Sequence, residues 1–280
     1  MTVVRAILAQ PSGAIGLGLL LLHLAAMLLA PAIVPQDPAR QSAAAMFLGP
    51  SAQHWLGTDH LGRDVLSRVL LGGRAAAMTT AAAALVAVIW GGLAGMAAAY
   101  RGGWPDEVLM RLMDAFQAVP WLLFVMLVAA FVGNSAPVLI AVLGFCYGLQ
   151  TARVARAATL DLVARDFVWA AKARGEPMAS VLWREILPNL RNILLVDGAM
   201  EWSWMLLWFS ALSFLGLGVS PPTPDWGLMI ADARLYLTVI PWAALAPMIA
   251  LSSFIIAINL SAEALGKALG LDRALLRETR

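Results

Sequence analysis

Residues 115–152 read AFQAVPWLLFVMLVAAFVGNSAPVLIAVLGFCYGLQTA, a run of 38 residues without Asp, Glu, Lys or Arg. A helix rises 1.5 Å per residue, and about 20 apolar residues cross the hydrocarbon core of a bilayer. The run is therefore too long for one membrane span and has about the right length for two. The segment GNSAP at 133–137 contains Gly, Asn and Pro, which are typical of turns, and it predicts the connection between the two spans.

Further stretches without charged side chains lie at 6–36, 75–100, 202–224 and 235–262, and each is long enough for one span. The sequence therefore predicts an all-α, polytopic membrane protein with six transmembrane helices in a single transmembrane domain over 1–280. The spans are expected at about 14–34, 76–99, 108–132, 137–156, 192–216 and 239–261.

The composition agrees with a protein that lipid surrounds. Hydrophobic residues make up 61% of the chain and charged residues 13%, and the mean hydropathy is +0.80. Soluble domains carry about 25% charged residues, so this balance excludes a soluble enzyme, a disordered protein and a nucleic-acid binder. The single cysteine, Cys146, excludes an intrachain disulfide and a cysteine metal cluster, and it is expected to pack among apolar neighbours.

Lysine and arginine mark the cytoplasmic side of a membrane protein. With the N-terminus inside, the inner segments hold fourteen of these residues and the outer segments hold five. The distribution predicts an N-in, C-in topology, in which 35–75 and 217–238 lie outside and 157–191 lies inside. The first span is expected to stay uncleaved, because its apolar core is longer than that of a signal peptide.

Both outer segments contain a feature that suggests local structure. LGRDVLSRVL at 61–70 has apolar residues at helical spacing and predicts an amphipathic, interfacial helix. SPPTPDWG at 220–227 predicts a rigid loop with Trp226 as an interfacial anchor. His54 and His60 have no third ligand nearby in sequence, so packing within the loop is favoured and no metal site is predicted.

The inner segment contains two helical stretches that are separated by turn residues. The pattern predicts one helix over 160–174, ended by Gly175 and Pro177, and a second helix that ends near Pro188. Together they form a helix-turn-helix on the cytoplasmic face of the membrane.

Three blocks of sequence are specific enough to suggest a family. They read HWLGTDHLGRDVLSR at 54–68, AAKARG at 170–175 followed by EILPN at 185–189, and LSFLGLGVSPPTPDWG at 212–227. With these blocks in this order, the chain resembles the permease subunits of bacterial binding-protein-dependent ABC importers of the dipeptide, oligopeptide and nickel group.

The resemblance implies an importer core in the bacterial inner membrane. The core would contain this permease, a second homologous permease and two ABC ATPase subunits, and a periplasmic binding protein would deliver the solute. ATP and Mg would bind to the ATPase subunits. The chain has no GxxxxGK[ST] phosphate loop, so we expect neither a cofactor nor a catalytic residue in it, and it is not expected to be an enzyme.

The resemblance also implies that residues 166–188, here called the coupling segment, insert a short helix into a groove of an ATPase. Trp169 stands where the family pattern has Glu, and Asp166, one helical turn earlier, is the candidate to replace that acid. The residues expected to make the contact are Asp166, Trp169, Ala170, Ala171, Lys172, Arg174, Gly175, Leu187 and Pro188.

The outer segments are expected to form a docking surface for the binding protein. The exposed charges expected there are Asp59, Arg63, Asp64, Asp225, Asp232 and Arg234.

Three acids fall inside the predicted spans, namely Asp114, Asp197 and Glu201. A carboxylate that faces lipid costs about 2.5–3.5 kcal/mol, so these side chains should face the bundle or an aqueous cavity. Asp197 and Glu201 are four residues apart and share one helix face. Two interpretations remain open. The acids pair with Arg111, Arg191 or the second permease, or they line the translocation path and favour cationic solutes.

The solute itself cannot be read from the sequence. Di- and oligopeptides are favoured, followed by nickel or metal chelates and then opine-like solutes. Specificity for peptides cannot be assumed, because Trp208 and Phe209 stand where peptide importers often carry an acid. A secondary transporter and an intramembrane hydrolase are more distant alternatives. The first would not need the coupling segment, and the second would need a Ser/His pair or HExxH that the spans lack.

Overall fold

A computed structural model describes residues 3–271, which form helices and loops without a named β-strand. Three arginines used in the topology prediction, Arg273, Arg277 and Arg280, lie outside the described residues. The helices are α1 (Val3–Leu8), α2 (Pro11–Ile33), α3 (Val65–Arg101), α4 (Gly103–Gln117), α5 (Trp121–Val132), α6 (Ala136–Val163), α7 (Asp166–Ala173), α8 (Met178–Val181), α9 (Leu187–Phe214), α10 (Trp226–Ala233) and α11 (Pro241–Ala268). A π-helical turn at Leu182–Ile186 joins α8 to α9.

Four helices in the described part are long and apolar enough to cross a membrane, namely α2, α3, α6 and α11. The α4–α5 pair bends by 78° and gives a fifth crossing if it is one broken span. Helix α9 has 28 residues, but its two acids lower its hydropathy and it is not among these candidates. The all-helical membrane architecture is therefore confirmed, whereas length and composition support at most five of the six predicted crossings.

Helices α3 and α6 approach closely because small residues face each other. A Cβ at Gly91 would collide with the carbonyl oxygen of Gly148, and a Cβ at Gly95 with that of Ala152. The indole N–H of Trp90 donates to the carbonyl oxygen of Gly144 at 2.8 Å. Small residues that let two backbones meet are a common basis of helix packing in membranes.

The predicted interfacial helix at 61–70 is not a separate element. Residues 61–64 belong to a loop, and α3 begins at Val65 because the Asp64 side chain caps it by accepting the Ser67 N–H at 2.8 Å. The helix then continues to Arg101 over 37 residues. At 1.5 Å per residue it is about 55 Å long, which exceeds a hydrocarbon core of about 30 Å.

The loop predicted at 220–227 is present over residues 220–225, but Trp226 is not the interfacial anchor that was expected. Residues 226–233 form α10, and Trp226 is only 2% exposed. Its indole N–H donates to the carbonyl oxygen of Val69 at 2.8 Å. Gly72 and Gly73 make room for the ring, since a Cβ at Gly73 would lie 2.6 Å from it.

The inner segment contains more breaks than predicted. Helix α6 ends at Val163, and α7 occupies only Asp166–Ala173 of the predicted helix at 160–174. Gly175 then turns the chain with φ +73°, in the left-handed region that favours glycine.

Pro188 does not end a helix, because it lies in the first turn of α9. Proline has no N–H to donate within a helix. The π-helical turn adapts the chain at this point, since the Leu187 N–H donates to the carbonyl oxygen of Leu182. The Asn189 side chain donates to the carbonyl oxygen of Glu185 at 2.6 Å.

Candidate functional site

A cavity of about 750 Å³ lies between the α4–α5 junction, α6 and α9. Its walls are largely aromatic, and the rings that line it include Phe116, Trp121, Phe145, Tyr147, Trp204 and Trp208. The Trp121 and Trp208 rings meet edge to face with their centroids 4.4 Å apart. Such packing holds aromatic walls in defined positions.

The α4–α5 junction places irregular backbone against the cavity. Helix α4 ends at Gln117 and α5 begins at Trp121, and Val119 and Pro120 line the cavity between them. The predicted span at 108–132 is therefore broken, because Pro120 cannot continue the helical hydrogen bonds. Irregular backbone at membrane depth is tolerated where it is buried in protein or lines an aqueous cavity. The junction therefore favours a cavity that admits water or a polar solute.

Two of the described residues that line the cavity are charged, Glu201 and Arg153. Arg153 forms an ion pair with Asp114 through its Nη2 and the aspartate Oδ1. Asp114 therefore pairs with Arg153 and not with the predicted Arg111 or Arg191. Within the described part of the chain, Glu201 makes neither an ion pair nor a hydrogen bond through its side chain.

Asp197 has different surroundings from Glu201, although it lies one helical turn away. Its Oδ2 accepts a hydrogen bond from the Thr151 hydroxyl at 2.9 Å, and Thr151 is fully buried. Asp197 does not line the cavity and instead links α9 to α6. Of the three acids in the spans, Glu201 lines the cavity directly and Asp114 contacts it through Arg153.

Four of the six charges expected on an exposed docking surface are buried, which corrects that expectation. The exposed fractions are 8% for Asp59, 5% for Arg63, 3% for Asp64 and 0% for Asp225. All four lie in residues 35–64 or 215–240, which we call the loop cap. Burial of a charge is costly unless the charge is paired or hydrogen-bonded, so the contacts of these residues explain their position.

Arg63 lies at the centre of this network. Its Nε donates to Asp59 Oδ2 at 2.6 Å, and its Nη2 donates to Asp232 Oδ2 at 3.2 Å. Arg68, also buried, donates from Nη1 to the carbonyl oxygen of Pro38 at 3.2 Å. These contacts tie the loop at 35–64 to α3 and α10.

Asp64 and Asp225 each cap a helix. Asp64 accepts from Ser67 and lies 2.9 Å from His54 Nδ1, so His54 has a structural partner in the loop. Asp225 accepts the Leu228 N–H at the start of α10 at 3.1 Å. Burial raises the pKa of the Asp225 carboxyl to about 6.

Two docking candidates remain accessible. The Asp232 side chain is about one-third exposed, and Arg234 is exposed with its guanidinium 5.3 Å from the centroid of the Phe214 ring. His60 lies beside them and stacks on Tyr236 with ring centroids 5.3 Å apart.

The coupling segment presents aromatic rings outward. Val168 and Ala171 are buried in a cluster with Val181 and Ile186, which anchors α7 by one face. Trp169 on the other face is 63% exposed. The remaining exposed members of the predicted contact are Asp166, Ala170, Arg174, Gly175 and Pro188, whereas Leu187 is half-buried.

Two of the three cations of this segment, Lys172 and Arg174, have partners within the chain. The Lys172 ammonium lies 4.6 Å from the centroid of the Tyr100 ring. Arg174 donates from Nη2 to Glu176 Oε1 at 2.6 Å, and this guanidinium lowers the pKa of the Glu176 carboxyl. The fold leaves Asp166, the candidate replacement for the missing Glu, exposed at the start of α7.

Sequence reasoning missed the aromatic walls of the cavity. The sequence did not assign Trp121, Trp204 or Trp208 to a cavity. Pro120 could have indicated the cavity from the sequence. A proline inside an apolar run predicts a broken helix, and broken backbone at membrane depth lies against protein or lines a cavity.

Comparison with known proteins places these features in one family. Residues 87–271 match the family model described as "Binding-protein-dependent transport system inner membrane component". The glutathione transport system permease protein GsiD of Pectobacterium atrosepticum is 36% identical over 222 residues, which cover 79% of this chain and 73% of that protein. The di/tripeptide transport system permease protein DppC of Pseudomonas aeruginosa is 34% identical over 269 residues, covering 93% of this chain and 88% of that protein.

The dipeptide transport system permease protein DppC of Alkalihalophilus pseudofirmus is 30% identical over 240 residues, covering 86% of this chain and 79% of that protein. A match to this family contradicts the secondary transporter and the intramembrane hydrolase that were kept as alternatives. The chain is a multi-pass protein of the inner membrane. It belongs to the inner-membrane permease components of binding-protein-dependent ABC importers.

Proposed function

We propose that this permease imports di- and oligopeptides and forms half of a translocation path, with a second homologous permease forming the other half. The observation that carries the proposal is the cavity, where broken backbone, an unpaired Glu201 and Arg153 meet. The names of the relatives support peptides as the solute class, since they describe transport of dipeptides, di/tripeptides and glutathione.

The proposal includes six crossings, with both termini on the cytoplasmic side. The broken α4–α5 pair is the third crossing and α9 is the fifth. Helix α9 is about 42 Å long at 1.5 Å per residue, which suffices for a bilayer. Neither of its acids faces lipid, because Asp197 is hydrogen-bonded to Thr151 and Glu201 lines the cavity. Both therefore avoid the cost of a carboxylate in lipid.

The coupling segment would transmit the state of two ABC ATPase subunits, which bind ATP and Mg, while this chain performs no catalysis. Exposed Trp169 supports this role, because an aromatic ring in water is a common anchor in a protein contact. The buried Val168 and Ala171 fix α7 to the ends of the spans, so that movement of an ATPase groove would move the bundle. Asp166 would take the acidic contact that the family pattern gives to Glu.

The loop cap would receive the periplasmic binding protein. Asp232 and Arg234 offer accessible charges there, and the buried Asp59, Arg63, Asp64 and Asp225 would shape the surface from below. Charge reversal at Arg234 should weaken docking in a salt-dependent way, because exposed charges are screened over about 8–10 Å.

Reconstituted transport tests the proposal. The chain is co-purified with its ATPases and second permease, placed in liposomes with the binding protein, and assayed for ATP-dependent uptake of labelled dialanine, Ni²⁺ and an opine. Uptake of dialanine that stops when the ATPase phosphate-loop Lys is replaced is expected. Uptake of only Ni²⁺ or only the opine would establish one of the alternative solutes, and purification without a stoichiometric ATPase would contradict the coupling role.

A further inference from the structure

The two charges in the cavity can be placed relative to each other along the helices. Thr151 on α6 bonds Asp197 on α9, and Ala155, one turn further along α6, packs in a cluster with Leu190 and Leu194, which precede Asp197. The helices therefore run antiparallel. Arg153 lies two residues from Thr151 and Glu201 lies four residues from Asp197, in opposite directions.

Six residues of helix separate the two charged positions along this axis, which amounts to about 9 Å at 1.5 Å per residue. An extended peptide spans at most 3.3–3.6 Å per residue, so a dipeptide is about 7 Å long and a tripeptide about 10 Å. The axial offset between the two backbone positions is thus comparable with the length of a very short peptide.

Each charge also has unused binding capacity. Glu201 has no partner among the described residues, and Trp204 lies three residues and Trp208 seven residues beyond it on the same helix. This spacing places the rings on the helix face of Glu201, where they favour a cation. Arg153 donates to Asp114 through Nη2, and a guanidinium has five N–H donors, so others remain for a second carboxylate.

Between these ends, the cavity offers hydrogen-bonding groups for a peptide bond. The Nε2 of Gln117 is buried and has no hydrogen-bond partner among the described residues. Gln117 and Gln150 both line the cavity. A buried amide donor without a partner costs about 1–3 kcal/mol, so this donor is suited to a group that enters the cavity.

We propose that the cavity is a binding site for a zwitterionic di- or tripeptide, with the ammonium group at Glu201 and the carboxylate at Arg153. The permease itself would thus recognise both ends of its solute after the binding protein has released it. The inference rests on the proposed peptide import and adds to it a site and an orientation in this chain.

Cys146 makes the site measurable, because it is the only cysteine of the chain and lines the same cavity. In the assembled importer, its modification by a cationic methanethiosulfonate (ethyltrimethylammonium) and an anionic one (ethylsulfonate) is followed by mass spectrometry. The ratio of the two rates cancels the intrinsic reactivity of the thiol. Glu201→Gln should lower the cationic-to-anionic ratio on the order of fivefold, because one nearby charge is removed.

Peptide protection then tests both ends of the site. Dialanine should slow modification of Cys146 more than N-acetyl-dialanine or dialanine amide at the same concentration. Glu201→Gln should remove the difference between dialanine and its N-acetylated form, and Arg153→Gln the difference between dialanine and its amide. The matched controls Glu107→Gln and Arg111→Gln change the same groups at exposed positions of α4 and should leave both differences intact.

Equal protection by the three peptides would overturn the proposal, and so would failure of both reagents to reach Cys146 in every nucleotide state. Uptake of dialanine by the same preparation separates this inference from the proposed function. Normal uptake together with equal protection by the three peptides would contradict the proposed binding site but would still support peptide import. Ordered protection without ATP-dependent uptake supports the site and contradicts import.

Discussion

The loop cap and the coupling segment lie at opposite ends of the helix bundle and use charged and aromatic residues in opposite ways. In the loop cap, Trp226 and Arg63 are buried and bonded to three separate parts of the chain. In the coupling segment, Trp169 is exposed, and Arg174 donates to Glu176, two residues away. The first region uses these side chains to hold loops in place, whereas the second leaves its aromatic ring exposed, where the proposed ATPase contact would form.

Residue type alone therefore does not decide whether a Trp or Arg side chain is buried in a loop network or exposed at the surface. A long loop makes few regular backbone hydrogen bonds. The loop at 35–64 is held instead by the buried Arg63–Asp59 ion pair and by the hydrogen bond from Arg68 to the carbonyl oxygen of Pro38. The coupling segment consists of short helices that a small apolar cluster already anchors. Its outer face, which includes Trp169, is therefore exposed.

Replacement of Trp226 and of Trp169 should give the largest difference in stability between the two regions. Trp226→Ala leaves a cavity beside Gly72 and Gly73 and removes the bond to Val69, so a loss of about 3–5 kcal/mol in the free energy of unfolding is expected. Trp169→Ala should leave unfolding unchanged but reduce ATPase co-purification. Thermal unfolding in detergent measures the first effect, and a similar midpoint for both variants would contradict the assigned roles.

The two arginines provide the next test. Arg63→Gln removes the closer of two charged partners of the buried Asp59, since Arg68 Nε still lies 3.9 Å from Asp59 Oδ2, and it should cost about 3 kcal/mol. Arg174→Gln removes an exposed pair with Glu176 and should leave the unfolding midpoint unchanged. An unfolding midpoint for Arg63→Gln close to that of the parent protein would show that the buried network does not hold the loop cap.

Asp225 should make the stability of the loop cap depend on pH. Its pKa is raised from 3.8 to about 6, so between these values the folded protein binds a proton that the unfolded chain has released. The free energy of unfolding should therefore fall as pH rises from about 4 to about 6, by at most about 3 kcal/mol at 1.36 kcal/mol per pKa unit.

Asp225→Asn should remove this decrease, and Glu176→Gln in the coupling segment should keep it. Unfolding midpoints measured from pH 4 to pH 7 provide the check. A decrease of the same size in the Asp225→Asn variant would assign it to another group.

Gly175→Val should have a small effect on stability and a large effect on transport. A Cβ there would contact nothing within 4 Å, so Gly175→Val acts only through the positive φ and should cost about 1–2 kcal/mol. The altered turn should uncouple ATP hydrolysis from peptide uptake while the protein remains inserted. Gly175→Asn is the matched control, because Asn tolerates this backbone conformation, and normal uptake by Gly175→Val would contradict the coupling role.

Much of the fold could be predicted from where charges are absent. The predicted spans at 14–34, 76–99, 137–156 and 239–261 each coincide with a long helix, since runs of apolar residues satisfy their backbone only as helices in lipid. The third predicted span is not one continuous helix, because Pro120 interrupts it, and its apolar composition gave no sign of the 78° bend. The family was predicted from its three sequence blocks.

The candidate site was predicted only in part. Glu201 was identified because a carboxylate in a span needs polar surroundings, but the same argument applied to Asp197, which Thr151 binds outside the cavity. Helix spacing places both acids on one face and does not show which neighbour each one meets. Four docking charges were placed on the surface for a similar reason, because a polar loop gives no sign of which charges find buried partners.

The sequence by itself determined the membrane class, the helical content and the family, because these depend on composition and on local patterns of neighbouring residues. Only the tertiary structure decided which charges are buried, which tryptophans line a cavity, and that Arg153 and Glu201 line the same cavity. These properties depend on contacts between residues that are distant in the chain, such as Thr151 with Asp197 and Arg63 with Asp232. Such contacts form only when the helices have packed, and no local pattern of residues encodes them.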